Sequence, residues 1–429
     1  MSTLGVTQLP PDPDFVQALR LRQDGRASEA LELLEGAIRR HPRDANVIRE
    51  FSQVCGIVGD VEREASVLGE LERSVPDNAL LLAYWAQALG EIGAYERSLR
   101  VYERAMAISP EVATIRVAYG MALLKLGDFL RGWEFYDARE SMQEVSQFTG
   151  RERPPRYTSG NLHGRTLLLL SEQGLGDTLM FARYIPMLAK RGARIIVVAH
   201  NEVAELLRTI PGVERVVPFA KTLPGFHLYA RLLGLPRIFA TTAWNIPNQV
   251  PYVRVSPGRI EHWRQRVLLD GAGAGVKRVG LVWAGNPAHS RDVHRSINLS
   301  DLAPLADVPG VIFYSLQKGG RQEQTSNPPE GMRLIDAAPG LNDMSDVGAI
   351  LQSLDLLICV DTAPAHLAGA LGRPVWTLVS YSPDWRWMLD RDDSPWYPTM
   401  RLFRQPRLWD WASVIAKVRD SLNEWAKRT

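Results

Sequence analysis

The chain has 429 residues, room for two or three domains at roughly 100–200 residues each. Hydrophobic residues make up 45% and charged residues 23%, ordinary proportions for a soluble globular protein. With 50 Lys+Arg against 48 Asp+Glu the formal net charge is +2, which speaks against nucleic acid or an acidic membrane surface as a partner recognised by overall charge.

The first fifteen residues, MSTLGVTQLPPDPDF, lack a positive stretch followed by an apolar run, so no secretory signal is expected. Pro42, Pro76 and Pro110 then follow helical patterns at a constant spacing of 34 residues, the period of tetratricopeptide (TPR) helix pairs. Units at 11–44, 45–78, 79–112 and 113–146 result. Ala18, Ser52, Ala86 and Gly120 share one offset, Leu34, Leu68, Tyr102 and Tyr136 another, and Gly25, Gly59, Gly93 and Gly127 fall in the turns. A stacked array over 11–146 buries a continuous core and leaves a groove suited to a peptide or protein. The second unit is the most degenerate, with Glu64 where a small residue is expected.

A Pro- and Gly-containing connector spans 147–163. Strand-like and helical runs alternate after it, which predicts parallel α/β structure. RTLLLLSE, ARIIVVAH and ERVVPF are the strands of a lobe at 164–270. After a glycine hinge, Gly271–Gly275, KRVGLVWAG, GVIFYSLQ, DLLICVDT and RPVWTLVS build a second lobe at 276–429. Both lobes are expected to be Rossmann-like. Trp411, Val414, Ile415, Val418, Leu422 and Trp425 line one face of a closing helix with Asp410 as its N-cap. No apolar stretch reaches the ~18 residues that span a bilayer. The two cysteines, Cys55 and Cys359, suit buried free thiols rather than a disulfide framework or a zinc site. A cytoplasmic protein is expected.

Ligands of open α/β sheets bind beyond the carboxyl ends of the strands. At the first such end, in SEQGLGDT, Gly174 and Gly176 allow a tight turn and Asp177 suits either a general base or a helix cap. In VDTAPAHLAG, Thr362 followed by Pro364 reads as a helix start able to hold a diphosphate. Asp361 beside it is a carboxylate that must turn away or be bridged, and His366 suits either a phosphate donor or a structural role. In GNPAHSRDVHRSI, Asn286 follows a strand, and Arg291 and Arg295 with His289 and His294 suit either a pyrophosphate clamp or a solvated loop. Gln317 and Lys318 leave another strand in YSLQKG, where Lys318 could neutralise a departing phosphate. Trp385, Arg386 and Trp387 suit stacking on a base or packing a core. No GxxxxGK[ST] loop and no metal-ligand spacing is present. Together these positions point to group transfer from a nucleotide diphosphate.

GDFLRGWEFYDAR, SEQGLGDTLMFARYIPML, GLVWAGNPAHSRDVHRSI, FYSLQKG, VDTAPAHLAGALGRPVW and YSPDWRWMLDRDDSPWYPTMRLFRQP make the chain resemble bacterial TPR-containing glycosyltransferases. Its catalytic half is similar to lipopolysaccharide heptosyltransferases and, more distantly, to O-GlcNAc transferases. The resemblance implies a GT-B fold and a donor held mainly by the C-terminal lobe without a metal or other cofactor. It makes Asp177 the general base, matches Thr362 and His366 to the motif that meets the donor diphosphate, and sets Gln317 and Lys318 where related enzymes contact the nucleotide phosphates. Gly176, Asn286, Arg295 and Asp361 are expected to join the donor site by their positions at strand ends. The expected function is an inverting glycosyltransferase that moves a sugar from a nucleotide-sugar donor to a protein such as flagellin or another surface protein. The TPR groove would recruit that acceptor, and oligomers are compatible with the array. Rival readings are a glycan-directed transferase in surface polysaccharide or lipopolysaccharide assembly and a non-catalytic TPR scaffold.

Overall fold

The computed structural model describes residues 12–142, 154–219, 223–271, 273, 275–289 and 291–427. Residues 147–153 of the expected connector at 147–163 and two positions of the glycine hinge at 271–275 lie outside them. The chain divides into two compact units, Met1–Ala122 and Leu123–Thr429. The division falls inside the fourth 34-residue unit.

In the first unit, helices run over Pro13–Gln23, Ala27–Arg40, Ala45–Val58, Val61–Leu71, Ala79–Glu91 and Tyr95–Ile108, followed by the start of Ala113–Lys125. The side chains of Asp12, Asp44 and Asn78 open alternate helices by accepting backbone N–H bonds, at 2.9, 2.8 and 3.1 Å for the shorter bond of each. Caps of this kind contribute about 1 kcal/mol each. Gly25, Gly59 and Gly93 turn the chain at φ of 77°, 86° and 83°, the left-handed conformation a residue without Cβ adopts most easily. Ala18, Ser52 and Ala86 are buried where helices approach, with Leu34, Leu68 and Tyr102 filling the gaps. The 34-residue register is thus a register of turns and packing positions. Glu64 is buried at the irregular position of the second unit.

The second unit opens with a helix at Phe129–Tyr136. Its Trp133 meets Trp385 edge-on at 5.2 Å, and the Trp133 indole N–H donates to the Thr241 carbonyl at 2.8 Å. Two parallel sheets follow. The first holds β1 (Thr166–Leu170), β2 (Arg194–Ala199), β3 (Val213–Pro218) and β4 (Leu228–Arg231), in the order β3-β2-β1-β4. The second holds β5 (Lys277–Val282), β6 (Val311–Ser315), β7 (Leu334–Asp336), β8 (Leu356–Val360), β9 (Val375–Val379) and β10 (Met400–Arg404), in the order β10-β9-β8-β5-β6-β7. That order is the doubly wound one of nucleotide-binding sheets, and its direction reverses between β5 and β8, where ligands of such sheets bind.

Three of these strands go beyond the sequence expectation: β4, β7 and β10 are short or charged, and neighbouring strands supply their pairing. The near-continuous apolar sequences of β1, β8 and β9 reflect burial on both faces. The closing helix, Trp411–Ala426, buries Val414, Ile415, Val418 and Leu422 against the second sheet's core, and Asp410 caps it by accepting from Ser413 N at 3.1 Å. Both cysteines are buried free thiols. Among the described residues no helix is long and apolar enough to cross a membrane.

Candidate active site

From the end of β1 the chain turns through Ser171–Gly174, with Gln173 at a φ of 61°. Glu172 is buried and takes Arg139 at 2.9 Å on one oxygen and Arg231 at 3.1 Å on the other. Arg231 ends β4, so this ion pair joins the ends of β1 and β4, the reversal point of the first sheet. Unpairing so buried a carboxylate would be costly, which fixes the loop that leads into the helix Leu175–Phe181.

Asp177 lies in the first turn of that helix, and its two oxygens have different neighbours. Oδ2 accepts from Gly174 N at 3.0 Å, as a cap does. Oδ1 is ion-paired with the Arg386 guanidinium. Burial pushes the Asp177 carboxyl above its ordinary pKa, an effect that the charge of Arg386 only partly offsets. Arg386 follows Asp384, whose carboxylate opens the short 3-10 turn Trp385–Trp387 by accepting from Arg386 N at 3.0 Å and from the Arg386 guanidinium at 2.6 Å. One buried arginine therefore bridges two carboxylates. Burial works against ionisation of Asp384, yet Arg386 holds it below the ordinary carboxylate range. Near it, Lys125 donates to the Ser382 hydroxyl at 3.0 Å. Burial brings the Lys125 ammonium down to about 8 against the opposing charge of Asp384.

At the reversal point of the second sheet, β8 gives way to Asp361 and Thr362, and Thr362 starts the helix Ala363–Ala370 with extended backbone. Pro364 in its first turn carries no N–H to satisfy. Arg295, on the loop after β5, donates to the Asp361 carbonyl and to the Asp292 carboxylate, both at 3.1 Å. It therefore ties the β5 end to the β8 end. A Cβ on Gly285 would come within 2.6 Å of the Arg295 guanidinium, so the glycine makes room for it. Burial, with Asp384 adding to it, raises the Asp361 carboxyl to about 6 against the pull of Arg295 and Arg386.

His366 closes the arrangement. Its Nδ1 lies 3.0 Å from the Tyr397 hydroxyl, and its ring stacks on Trp387 at 5.2 Å. Burial, with the charges of Arg386 and Arg183 beside it, lowers the imidazole to about 3, so it is neutral at physiological pH. Arg183 is itself buried and is spent on the Met180 and Trp396 carbonyls and the Tyr252 hydroxyl. A Cβ on Gly176 would stand 2.8 Å from His366 Cδ2. The helix bearing Asp177 therefore meets the helix bearing His366 face to face.

The structure thus brings Gly176, Asp177, Arg295, Asp361, Thr362 and His366 around one junction of the two sheets. The remaining expected residues are engaged otherwise. Gln317 is 1% exposed; its carbonyl accepts from Trp283 N and Ala284 N, and its amide donates to the carbonyls of Ala284, Lys318 and Gly320. It staples the β5 end on which Arg295 leans. The Lys318 ammonium donates to the Leu341 carbonyl, and exposed Asn286 caps a turn by accepting from Ala288 N at 3.0 Å. Trp385 and Trp387 are buried in the packing. Arg386 as partner of Asp177, and Lys125, Ser382 and Asp384 near it, were not legible as site residues. Asp384 and Arg386 sit in a Trp-rich run that suits a core, and Lys125 reads as the end of a repeat helix.

Residues 313–410 match the model for glycosyltransferase family 9 (heptosyltransferase). Over 96% of its length the chain is 28% identical to Protein FlbA of Caulobacter vibrioides, across 74% of that protein. Among solved structures, the Escherichia coli ADP-heptose lipopolysaccharide heptosyltransferase II aligns over 61% of this chain and 98% of its own, with 15% identity and a TM-score of 0.45. The TPR protein TTC0263 of Thermus thermophilus aligns over 30% of this chain and 73% of its own, with 18% identity and a TM-score of 0.26. The matched stretch runs from within β6 through β10 and includes the Thr362–His366 helix start and the Asp384–Arg386 turn.

Proposed function

We propose that the chain is an inverting transferase that moves a sugar from a nucleotide-sugar donor to a protein acceptor, flagellin or another surface protein, recruited by the repeat unit. The observation that carries this reading is the meeting of two helix starts at Gly176 and His366. It places a carboxylate on one side of a junction and, on the other, a helix N-terminus with Arg295 at the reversal point of a doubly wound sheet. A two-lobed GT-B arrangement has this form.

In this mechanism the acceptor hydroxyl attacks the anomeric carbon of the donor sugar. Asp177 takes the hydroxyl proton as the new C–O bond forms and the bond to the diphosphate breaks. The raised pKa of Asp177 suits it to hold that proton better than an exposed aspartate does. Negative charge gathers on the departing diphosphate, where the N–H groups at the helix start and the Arg295 guanidinium stabilise it. This cation and the helix dipole supply the charge that a metal supplies in other transferases.

Single-turnover transfer with a radiolabelled donor is the test. Asp177→Asn at saturating donor should lose at least about a hundredfold in rate, the scale of a general base, while donor affinity is kept. A retained rate removes Asp177 from the base role. Label entering lipid-linked glycan rather than protein removes the protein acceptor.

A further inference from the structure

Past β10 the chain recrosses the carboxyl ends of the strands before entering the closing helix. Gln405 fixes the start of this crossing, accepting from Tyr381 N at the end of β9 at 2.9 Å. Four residues later Trp409 adopts a φ of 64°, a conformation that bulky residues avoid. Its surroundings hold it there: Trp411 N donates to the Trp409 carbonyl at 2.9 Å, and Asp410 is fixed by Ser413 N at 3.1 Å and by Arg407 at 3.0 Å. Strain of this kind persists only where neighbours over-determine it, and it concentrates at ligand sites.

The strain does not serve to bury the indole, which is 44% exposed. One side of it is occupied, stacked on the imidazole of His294 with ring centres 4.9 Å apart and planes 27° from parallel. His294 is itself buried. The next residue is Arg295, whose guanidinium reaches the Asp361 carbonyl at the reversal point. A flat, partly solvated indole therefore stacks on the chain neighbour of the cation assigned to the diphosphate, at the sheet end where nucleotides bind.

We propose that Trp409, backed by His294, is the platform on which the nucleobase of the donor stacks. This rests on the donor reading given above and deepens it, because a diphosphate held by Arg295 and the Thr362 helix start places its nucleoside on the same lobe. Every nucleobase offers a π face to an indole, so the platform supplies affinity for a nucleotide and leaves the choice of base to other groups.

The experiment is calorimetric titration of the full chain with ADP, GDP, UDP and dTDP in turn, and with inorganic pyrophosphate. The tightest nucleotide then serves as probe for Trp409→Ala and Trp409→Phe. Alanine should weaken the probe by about 10–100-fold, the range of losing one base–aromatic stack, and phenylalanine by less than about fivefold. Pyrophosphate affinity should stay within about twofold in both variants, which also shows that the fold and phosphate site survive. Unchanged nucleotide affinity in Trp409→Ala overturns the platform and leaves the donor reading standing. Equal losses for nucleotide and pyrophosphate overturn it too. A wild-type chain that binds neither nucleotide nor pyrophosphate takes down both readings.

Discussion

Asp361→Asn removes a carboxyl that folding shifts from an ordinary 3.8 to about 6. Burial is the main cause, and Asp384 adds to it against Arg295 and Arg386. At 1.36 kcal/mol per tenfold, the gap corresponds to about 3 kcal/mol. Because the folded pKa is the higher one, the native state binds this proton more tightly than the unfolded chain does. The stabilisation is complete below 3.8 and is lost as pH rises through about 6, so at neutral pH the wild type holds a buried charge that Arg295 and Arg386 only partly compensate. An amide of the same shape does not titrate, and the Arg295 bond to the backbone carbonyl is untouched by the substitution. Of the 3 kcal/mol, about half falls between pH 5 and pH 8. Thermal melts of both proteins at these two pH values should show the variant gaining on the wild type by roughly 2–4 °C as pH rises. A melting difference that is the same at both values refutes a buried, proton-holding Asp361.

Arg386→Gln takes the cation from Asp177 and leaves burial unopposed, so the Asp177 pKa rises further. With Asp177 as the proposed base the carboxylate is the active form, so the acid limb of the single-turnover pH–rate profile should move to higher pH by about one unit or more; a limb that stays or moves down contradicts the pairing. Gly176→Ala drives a methyl into His366, whose ring is held by Tyr397 and Trp387 and cannot swing aside. That overpacking costs about 1–3 kcal/mol and should lower the melting temperature by several degrees, whereas an unaltered melt would show that the two helices do not meet closely there.

The repeat was legible because its physical demands are local. A glycine is needed wherever the chain turns left-handed, and a small residue wherever two helices touch, so Gly25, Gly59 and Gly93 announce themselves at one spacing. The apolar runs of β1, β5, β6, β8 and β9 were legible for the same reason. β4, with LYAR, and β7, with LID, are too short to carry a periodicity, and MRLFR of β10 is interrupted by arginines. Part of the candidate site followed from position alone: Asp177, Asp361 and Thr362 stand just past strand ends. The rest depended on distant chain. Arg386 lies 209 residues from the carboxylate it holds, and no local pattern links them. Gln317 shows the converse, a polar residue at a strand end whose side-chain bonds all go to backbone.

The helix Phe129–Tyr136 has a consequence for any exchange of modules. By its numbering it completes the last repeat, yet Trp133 and Tyr136 pack on Trp385, the neighbour of the arginine that grips Asp177, and Tyr136 receives Gln173 from the loop after β1 at 3.0 Å. A hybrid protein spliced at the apparent end of the repeats, near residue 146, would transplant the foreign counterpart of this helix into the chemistry of its host. The seam that keeps both halves native lies at least one helix earlier, ahead of Leu123, so recruitment of a new acceptor by array swapping has to respect a border that the repeat count conceals.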